Sequence, residues 1–279
     1  MVVLVTGASG QLGQALQAIA SQYNTIQFHF ATSAEVDITS KENLEAIFGI
    51  IKPNFCINAA AYTAVDKAES EPEKAHLVNV IGAKNLAEVC KEHNTTLIHV
   101  STDFVFDGSK DTPYTEEDET NPQGVYGLTK RQGEQEIEKT LNPHYIIRTS
   151  WLYSEYGNNF MKTMIRLGKE RDSLSVVNDQ TGTPTNANDL ADALLKIIAS
   201  GKHEYGIYHY SNEGVATWYD FAKKIFEVNN ITIDLKPITT EQYPTPAKRP
   251  VYSVMDKSKI KHAFGIDIKQ WEDSLQPYE

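Results

Sequence analysis

An α/β fold, with a parallel sheet wound on both faces by helices, is predicted by two features of the 279-residue sequence. Short apolar runs alternate with helical patterns over its first half, and the first run enters a glycine-rich turn that opens a helix. Val2-Val3-Leu4-Val5 is β-branched and too short to span a membrane, the pattern of a buried parallel strand. It leads into Thr6-Gly7-Ala8-Ser9-Gly10-Gln11-Leu12-Gly13, after which Ala15, Leu16, Ala18 and Ile19 recur at helical spacing. Strand, glycine turn and helix make the dinucleotide-binding context of Rossmann-like folds. Gly7 permits the tight turn, Gly10 lets the backbone approach a pyrophosphate, and Gly13 allows close helix–strand packing. Phosphate oxygens then meet N–H groups at the positive end of the helix, where Gln11 and Leu12 stand. The spacing is Gly-x-x-Gly-x-x-Gly rather than Gly-x-Gly-x-x-Gly, and a structural turn with incidental glycines is the alternative.

The remaining elements follow in order. Strands are expected over 25–30, 55–58, 96–101 and 144–149, and helices over 43–51, 75–93 and 121–140. Val78, Ile81, Leu86 and Val89 supply the apolar face of the long helix. In a parallel sheet, ligands bind at the carboxyl ends of the strands. Small residues gather there: Gly7–Gly13, Ala59-Ala60-Ala61 and Ser101-Thr102. Beyond Trp151 the alternation weakens, with helices over 160–171, 187–200 and 218–229, strands over 175–177 and 206–210, and a proline-rich loop over 243–250. Residues 1–150 are thus expected to form the dinucleotide-binding domain, with 185–211 returning to it. Residues 151–184 and 212–279 form a smaller C-terminal α/β lobe for the substrate.

Composition sets further bounds. Hydrophobic content of 41% and charged content of 23% are those of an ordinary globular protein. A net charge of −11 argues against nucleic acid as a partner, while leaving room for an anionic nucleotide in one locally basic pocket. Glu116-Glu117-Asp118-Glu119 reads as a solvated loop. Cys56 and Cys90 lie in apolar segments and are expected to be buried free thiols. The chain enters a strand at once with no sign of a signal peptide, so a cytoplasmic protein without membrane association is expected.

The residues that point to chemistry are Tyr126 and Lys130. Four apart in a helix, they share a face. An ammonium beside a phenol favours the phenolate, and a shift of roughly 3 units, about 4 kcal/mol, makes the phenol a usable acid and base near neutral pH. Taken alone the spacing is common, and an exposed helical pair without function is the competing reading.

Taken together, Thr-Gly-x-x-Gly-x-x-Gly, Asn58-Ala59-Ala60-Ala61, Ser101-Thr102-Asp103 and Tyr126-x-x-x-Lys130 resemble the extended short-chain dehydrogenase/reductases. Three longer strings resemble the dTDP-4-dehydrorhamnose reductase family within them: Ala60–Glu69, Ser101–Gly108 and Arg148-Thr149-Ser150-Trp151. Pro244–Pro250 followed by Tyr252–Ser258 is similar to that family's C-terminal signature. One departure is Phe104, where the family usually has Tyr.

The resemblance implies hydride transfer from NADPH or NADH to the C4 carbonyl of a sugar nucleotide. Tyr126 would donate the proton and Lys130 would lower its pKa and bond the cofactor's ribose. Thr102 would hold the carbonyl oxygen, with Ser101 facing the other way in an extended segment. Asp103 would bond a sugar hydroxyl, Trp151 would stack on sugar or base, and Lys248 and Arg249 would neutralise the diphosphate. For Trp151 a core position, and for Thr102 local backbone capping, are the competing readings. Asp37-Ile38 resembles the segment beside the adenine, and Asp37 reads equally as an acid ahead of the helix. The second strand ends Phe28-His29-Phe30-Ala31-Thr32-Ser33 without an acid, so both cofactors are expected, with a lean to NADPH. The resemblance raises Mg²⁺ and a homodimer, but no acidic cluster here has the spacing of a metal site, and no ligands are assigned. Phe104 cannot transfer protons, which sets a dehydratase aside. An epimerase that retains NAD, or a non-catalytic NADP-binding subunit like that of methionine adenosyltransferase, remains an alternative.

Overall fold

The structure is a computed structural model and describes residues 1–278. Six strands form one parallel sheet: β1 (Val2–Thr6), β2 (Gln27–Ala31), β3 (Phe55–Asn58), β4 (Thr96–Thr102), β5 (His144–Thr149) and, far along the chain, Gly206–His209. Helices α1 (Gln11–Ile19), α2 (Lys41–Ile51), α3 (Val65–Ala68), α4 (Pro72–His76), α5 (Gly82–Glu92) and α6 (Val125–Thr140) connect them. Next come β6 (Leu152–Tyr153), α7 (Phe160–Glu170), β7 (Ser173–Val177), β8 (Thr181–Gly182), β9 (Thr185–Asn186), α8 (Ala187–Ala199) and β10, the sixth sheet strand. The chain ends with β11 (Ala216–Thr217), α9 (Trp218–Val228), β12 (Asp234–Ile238), α10 (Ser258–Phe264) and α11 (Trp271–Ser274).

Sheet order is β10-β5-β4-β3-β1-β2, so the winding reverses between β1 and β3. Alternation of side chains along each strand builds two cores. Val3, Val5, Ile57, Ile98, Tyr145 and Ile147 point to one face, under α1 and α8. Leu4, Cys56, Leu97 and Ile146 point to the other, under α2, α5 and α6. Cys56 and Cys90 are free and buried in this second core. A third core joins α7, α9 and α11, and the pairs β7–β12 and β8–β11 flank it.

Local chemistry sets the boundaries. The helix expected from residue 75 starts at Pro72, a residue suited to a first helical turn, and passes through a π turn at Leu77–Ile81 before α5. The helix expected from residue 121 starts only at Val125, because Gly124 is its extended N-cap. Helix α2 starts at Lys41, where the Ser40 side chain accepts from Asn43 N.

The acidic run 116–119 is not simply solvated. Glu116 is half-buried and accepts the His209 N–H at 2.9 Å, and Asp118 pairs with Lys110 at 2.7 Å. Loop closure onto β10 places it there. No helix among the described residues is long and apolar enough to cross a membrane.

Candidate active site

The turn after β1 lies against the end of β3. Gly7 has φ +69°, and a Cβ there would lie 2.6 Å from Ala60 N and 2.8 Å from Ala59 O. A Cβ on Gly13 would lie 2.6 Å from Ala8 Cα, so α1 sits close on the turn. Gly10 caps α1 without a side chain, and no acid stands in the helix's first turn. The positive helix end therefore faces the crevice between β1 and β3, bordered by half-buried Ala59, Ala60 and Ala61. This cradle fits a dinucleotide pyrophosphate. Asn79, buried in the π turn, holds the far side: its Oδ1 accepts from Tyr62 N at 2.8 Å and its Nδ2 donates to Tyr62 O at 3.1 Å.

Thr102, at the end of β4, and Tyr126, in the first turn of α6, meet over residues 103–105. The Phe104 and Tyr126 rings make an edge contact at 5.5 Å, and a Cβ on Gly127 would collide with the Phe104 carbonyl. Thr102 Oγ1 accepts from Phe104 N at 3.2 Å and donates to Asp103 Oδ1 at 3.1 Å. Ser101 points the opposite way, to Glu134, itself paired with Arg148 at 2.8 Å. Asp103 is buried, and its Oδ2 has no hydrogen-bond partner. Burial raises its pKa to about 6, against the pull of the Ser253 and Thr102 hydroxyls.

The expected lowering of the Tyr126 pKa by Lys130 is corrected. Burial pushes the phenol up to about 12; the Thr102 hydroxyl pulls it down and the Asp103 carboxylate adds to the rise. Lys130 shares the helix but turns beneath the crevice, donating to Val100 O at 2.7 Å. Burial lowers its own pKa to about 8, against the attraction of Glu134.

Other expected contacts are engaged within the protein. Arg249 binds the Asp66 carboxylate at 2.8 and 3.0 Å, so its charge is already matched, and Lys248 donates to Gln123 at 3.1 Å. Trp151 stacks one face on Trp218, leaving a single face for any ligand. Gln11 turns its side chain away from the glycine turn and accepts from Ser154 Oγ at 3.0 Å and Asn159 Nδ2 at 2.9 Å. Exposed Asp37 Oδ1 accepts from the Thr39 N–H and hydroxyl, while Ile38 is buried against Gly82.

The matching family model is described as RmlD substrate binding domain and spans residues 1–278. The chain belongs to this family. The dTDP-4-dehydrorhamnose reductase of Aggregatibacter actinomycetemcomitans is 46% identical, over 98% of this chain and 97% of that protein. A crystal structure of a dTDP-4-dehydrorhamnose reductase from Clostridium acetobutylicum superposes with a TM-score of 0.94 at 43% identity, over 99% of this chain and 97% of that one. The Bacillus anthracis enzyme of the same name, solved in complex with NADP, superposes at 0.92 with 40% identity, over 98% and 96%.

Within this RmlD-type chain, sequence reasoning missed three residues at the site. Asn79 and His99 sit inside apolar helix and strand patterns that hide polar roles. Glu35 lies four residues past β2, yet its Oε2 accepts from Thr32 N at 2.8 Å and Thr32 Oγ1 at 2.9 Å. Those bonds hold its carboxyl below the usual range. Ala31 O in turn accepts from Ala8 N at 3.0 Å, which sets this acid beside the glycine turn. The strand itself ends without an acid, as expected. The turn 32–35 folds one back. Among the described residues no group of His, Cys, Asp and Glu is arranged to hold a metal ion.

Proposed function

We propose that the chain is an NAD(P)H-dependent reductase that transfers hydride to the C4 keto group of dTDP-4-dehydro-L-rhamnose, giving dTDP-L-rhamnose. The observation that carries this reading is the meeting of Thr102 and Tyr126 over one turn, beside a glycine cradle. Full-length likeness to reductases of this name supports the substrate.

Gly7, Gly10, Gly13, the N–H groups of Gln11 and Leu12, Ala59–Ala61, and the Asp37-Ile38 segment would hold the cofactor. When bound, the reduced nicotinamide supplies the hydride. The Thr102 hydroxyl orients the carbonyl oxygen, and Tyr126 donates its proton as that oxygen gains charge. A phenol held near 12 is fully protonated at neutral pH, as a donor must be, and is still more acidic than the alcohol it helps to form. Lys130, mainly protonated at pH 7, bonds the ribose. Asp103 and the free face of Trp151 hold the sugar. Arg249 reaches the diphosphate only by sharing its guanidinium with Asp66. Residues 1–150 with 185–211 carry the cofactor, and 151–184 with 212–279 carry the sugar nucleotide.

The test follows NADPH and NADH absorbance with the keto-sugar nucleotide generated in the assay. Oxidation that requires both protein and sugar, and falls about 10²- to 10⁴-fold in Tyr126→Phe with cofactor binding kept, supports the reading. Parent-rate turnover in that variant removes Tyr126 as donor. Cofactor binding without any oxidation turns the reading to another keto sugar or to a regulatory subunit.

A further inference from the structure

A file of buried polar side chains runs beneath the crevice. The Lys130 amine lies 3.2 Å from His99 Nε2. On the other edge of the ring, Nδ1 is 3.0 Å from Asn58 Nδ2, and Asn58 Oδ1 accepts from Thr6 Oγ1 at 2.7 Å. Thr6, Asn58, His99 and Lys130 are 0%, 1%, 1% and 2% exposed. Thr6 immediately precedes Gly7, and Asn58 immediately precedes Ala59. The file therefore connects Lys130 to both strand ends that border the cradle.

Proton bookkeeping decides what His99 does. An ammonium only donates, and a neutral imidazole has one donor nitrogen and one acceptor. Burial, with the Lys130 charge and His144 nearby, keeps the His99 ring neutral. While Lys130 is charged, Nε2 is the acceptor and Nδ1 carries the proton. Nδ1–H then needs an oxygen from Asn58, whose amide oxygen and nitrogen are told apart only by their partners. This state needs the amide turned from the arrangement in which Oδ1 accepts from Thr6 and from the Ala60 N–H, so that Oδ1 faces His99 and Nδ2 faces Thr6.

If Lys130 is neutral, every role reverses. Nε2–H donates to the amine, Nδ1 accepts from Asn58 Nδ2, and Oδ1 accepts from Thr6 and from the Ala60 N–H at 3.2 Å. Charge on Lys130 thus takes the acceptor from the Ala60 N–H at the edge of the cradle and sets the Asn58 Nδ2, a second donor, in its place.

We propose that His99 is a positioning residue, an acceptor whose tautomer follows the charge on Lys130, so that it holds the ammonium under the crevice and couples its charge, through Asn58, to Ala60. The other titratable groups whose charge acts on this pair are Glu134, one turn further along α6, and His144 on β5. The inference rests on the reductase reading for what Lys130 does.

The test compares His99→Leu, which removes the acceptor, with His99→Gln, whose amide oxygen replaces it. H99L should lower kcat about tenfold or more and move the alkaline limb of its pH profile down by about one unit, because Lys130 then loses its proton more readily. KM for the sugar nucleotide should stay within about twofold. H99Q should recover most of kcat and the parent limb. Equal losses in both folded variants with the limb unmoved would mean that His99 only packs, and the proposal falls. ¹⁵N-histidine NMR of the parent, alone and with NADPH, decides the point even if H99L does not fold. Protonated Nδ1 with bare Nε2 near neutral pH supports the proposal, and the opposite tautomer overturns it. A parent without turnover defeats the reductase reading and leaves the NMR result to judge His99 separately.

Discussion

Trp151 and Trp218 stack with ring centroids 3.7 Å apart and planes 12° from parallel, and the stack fixes how Trp151 can meet a ligand. Trp151 has φ +46°, a conformation that bulky residues rarely adopt. A Cβ on Gly182 would lie 2.7 Å from its Cε2, so the indole is held from two sides. Trp218→Ala and Gly182→Ala should therefore both disturb this ring and share a phenotype. We expect KM for the sugar nucleotide to rise about tenfold in each, roughly the 0.5–1.5 kcal/mol of an aromatic contact, with NADPH affinity within about twofold. Initial-rate kinetics checks this. An unchanged KM in both variants would remove Trp151 from the sugar site.

Glu35 bears on cofactor choice. Its carboxylate rests on Thr32, beside the glycine turn, where a 2′-phosphate would meet like charge and a 2′-hydroxyl would meet an acceptor. Glu35→Gln keeps an oxygen for the Thr32 N–H and removes the charge. The ratio of kcat/KM for NADPH to that for NADH should rise about three- to tenfold, and the gain should shrink at high salt because the residue is exposed. A ratio that does not move places the ribose elsewhere.

The parts of the fold that could be read in advance are those with period. Leu4 between Val3 and Val5 goes to one core and its neighbours to the other, so β1 is visible as a run buried on both faces. Gly7–Gly13 is visible because tight turning and close approach leave no other residue free to serve. The two-residue strands β6, β8, β9 and β11 are too short to show a period at all. Arg249 looks free in sequence because its partner Asp66 is 183 residues away. His99 looks like part of an apolar strand, although its ring reaches the Lys130 amine across the sheet–helix boundary. Pattern reports which residues share a face; it does not report which polar group a turn or a distant loop brings to them.

Gln11 joins the two halves. Its Oε1 takes hydrogen bonds from Ser154 and Asn159, and Asn159 Nδ2 also donates to Ser154 O at 2.7 Å, so the loop after β6 is drawn onto the start of α1. Gln11→Leu keeps the backbone N–H at the helix end and removes this latch. NADPH affinity should stay within about twofold, while kcat/KM for the sugar nucleotide should fall about tenfold, the scale of one to two hydrogen bonds. Titration calorimetry with NADPH, paired with initial rates, separates the effects. Loss of cofactor affinity instead would show that the side chain itself serves the cradle.

Asp103 should trade stability for function. Its carboxyl is raised to about 6 in the folded chain by burial, against about 4 for an unfolded Asp. A raised carboxyl favours the protonated form on folding, so its contribution is fully present below pH 4 and lost as pH climbs through 6. Above that, the buried charge costs about 2–3 kcal/mol, and its Oδ2 has no partner to offset it. Asp103→Asn keeps an acceptor for the Thr102 hydroxyl and offers an N–H near Ser253. At pH 7.5 the variant should be about 2 kcal/mol more stable, raising Tm by roughly 4–8 °C, and at pH 4 the difference should nearly vanish. The same substitution should raise KM for the sugar nucleotide, because a carboxylate bonds a hydroxyl more strongly than an amide does. Thermal unfolding at the two pH values decides the first half. An equal gain at both would assign the stabilisation to packing, and no gain at either would mean that the carboxylate is not strained by its burial.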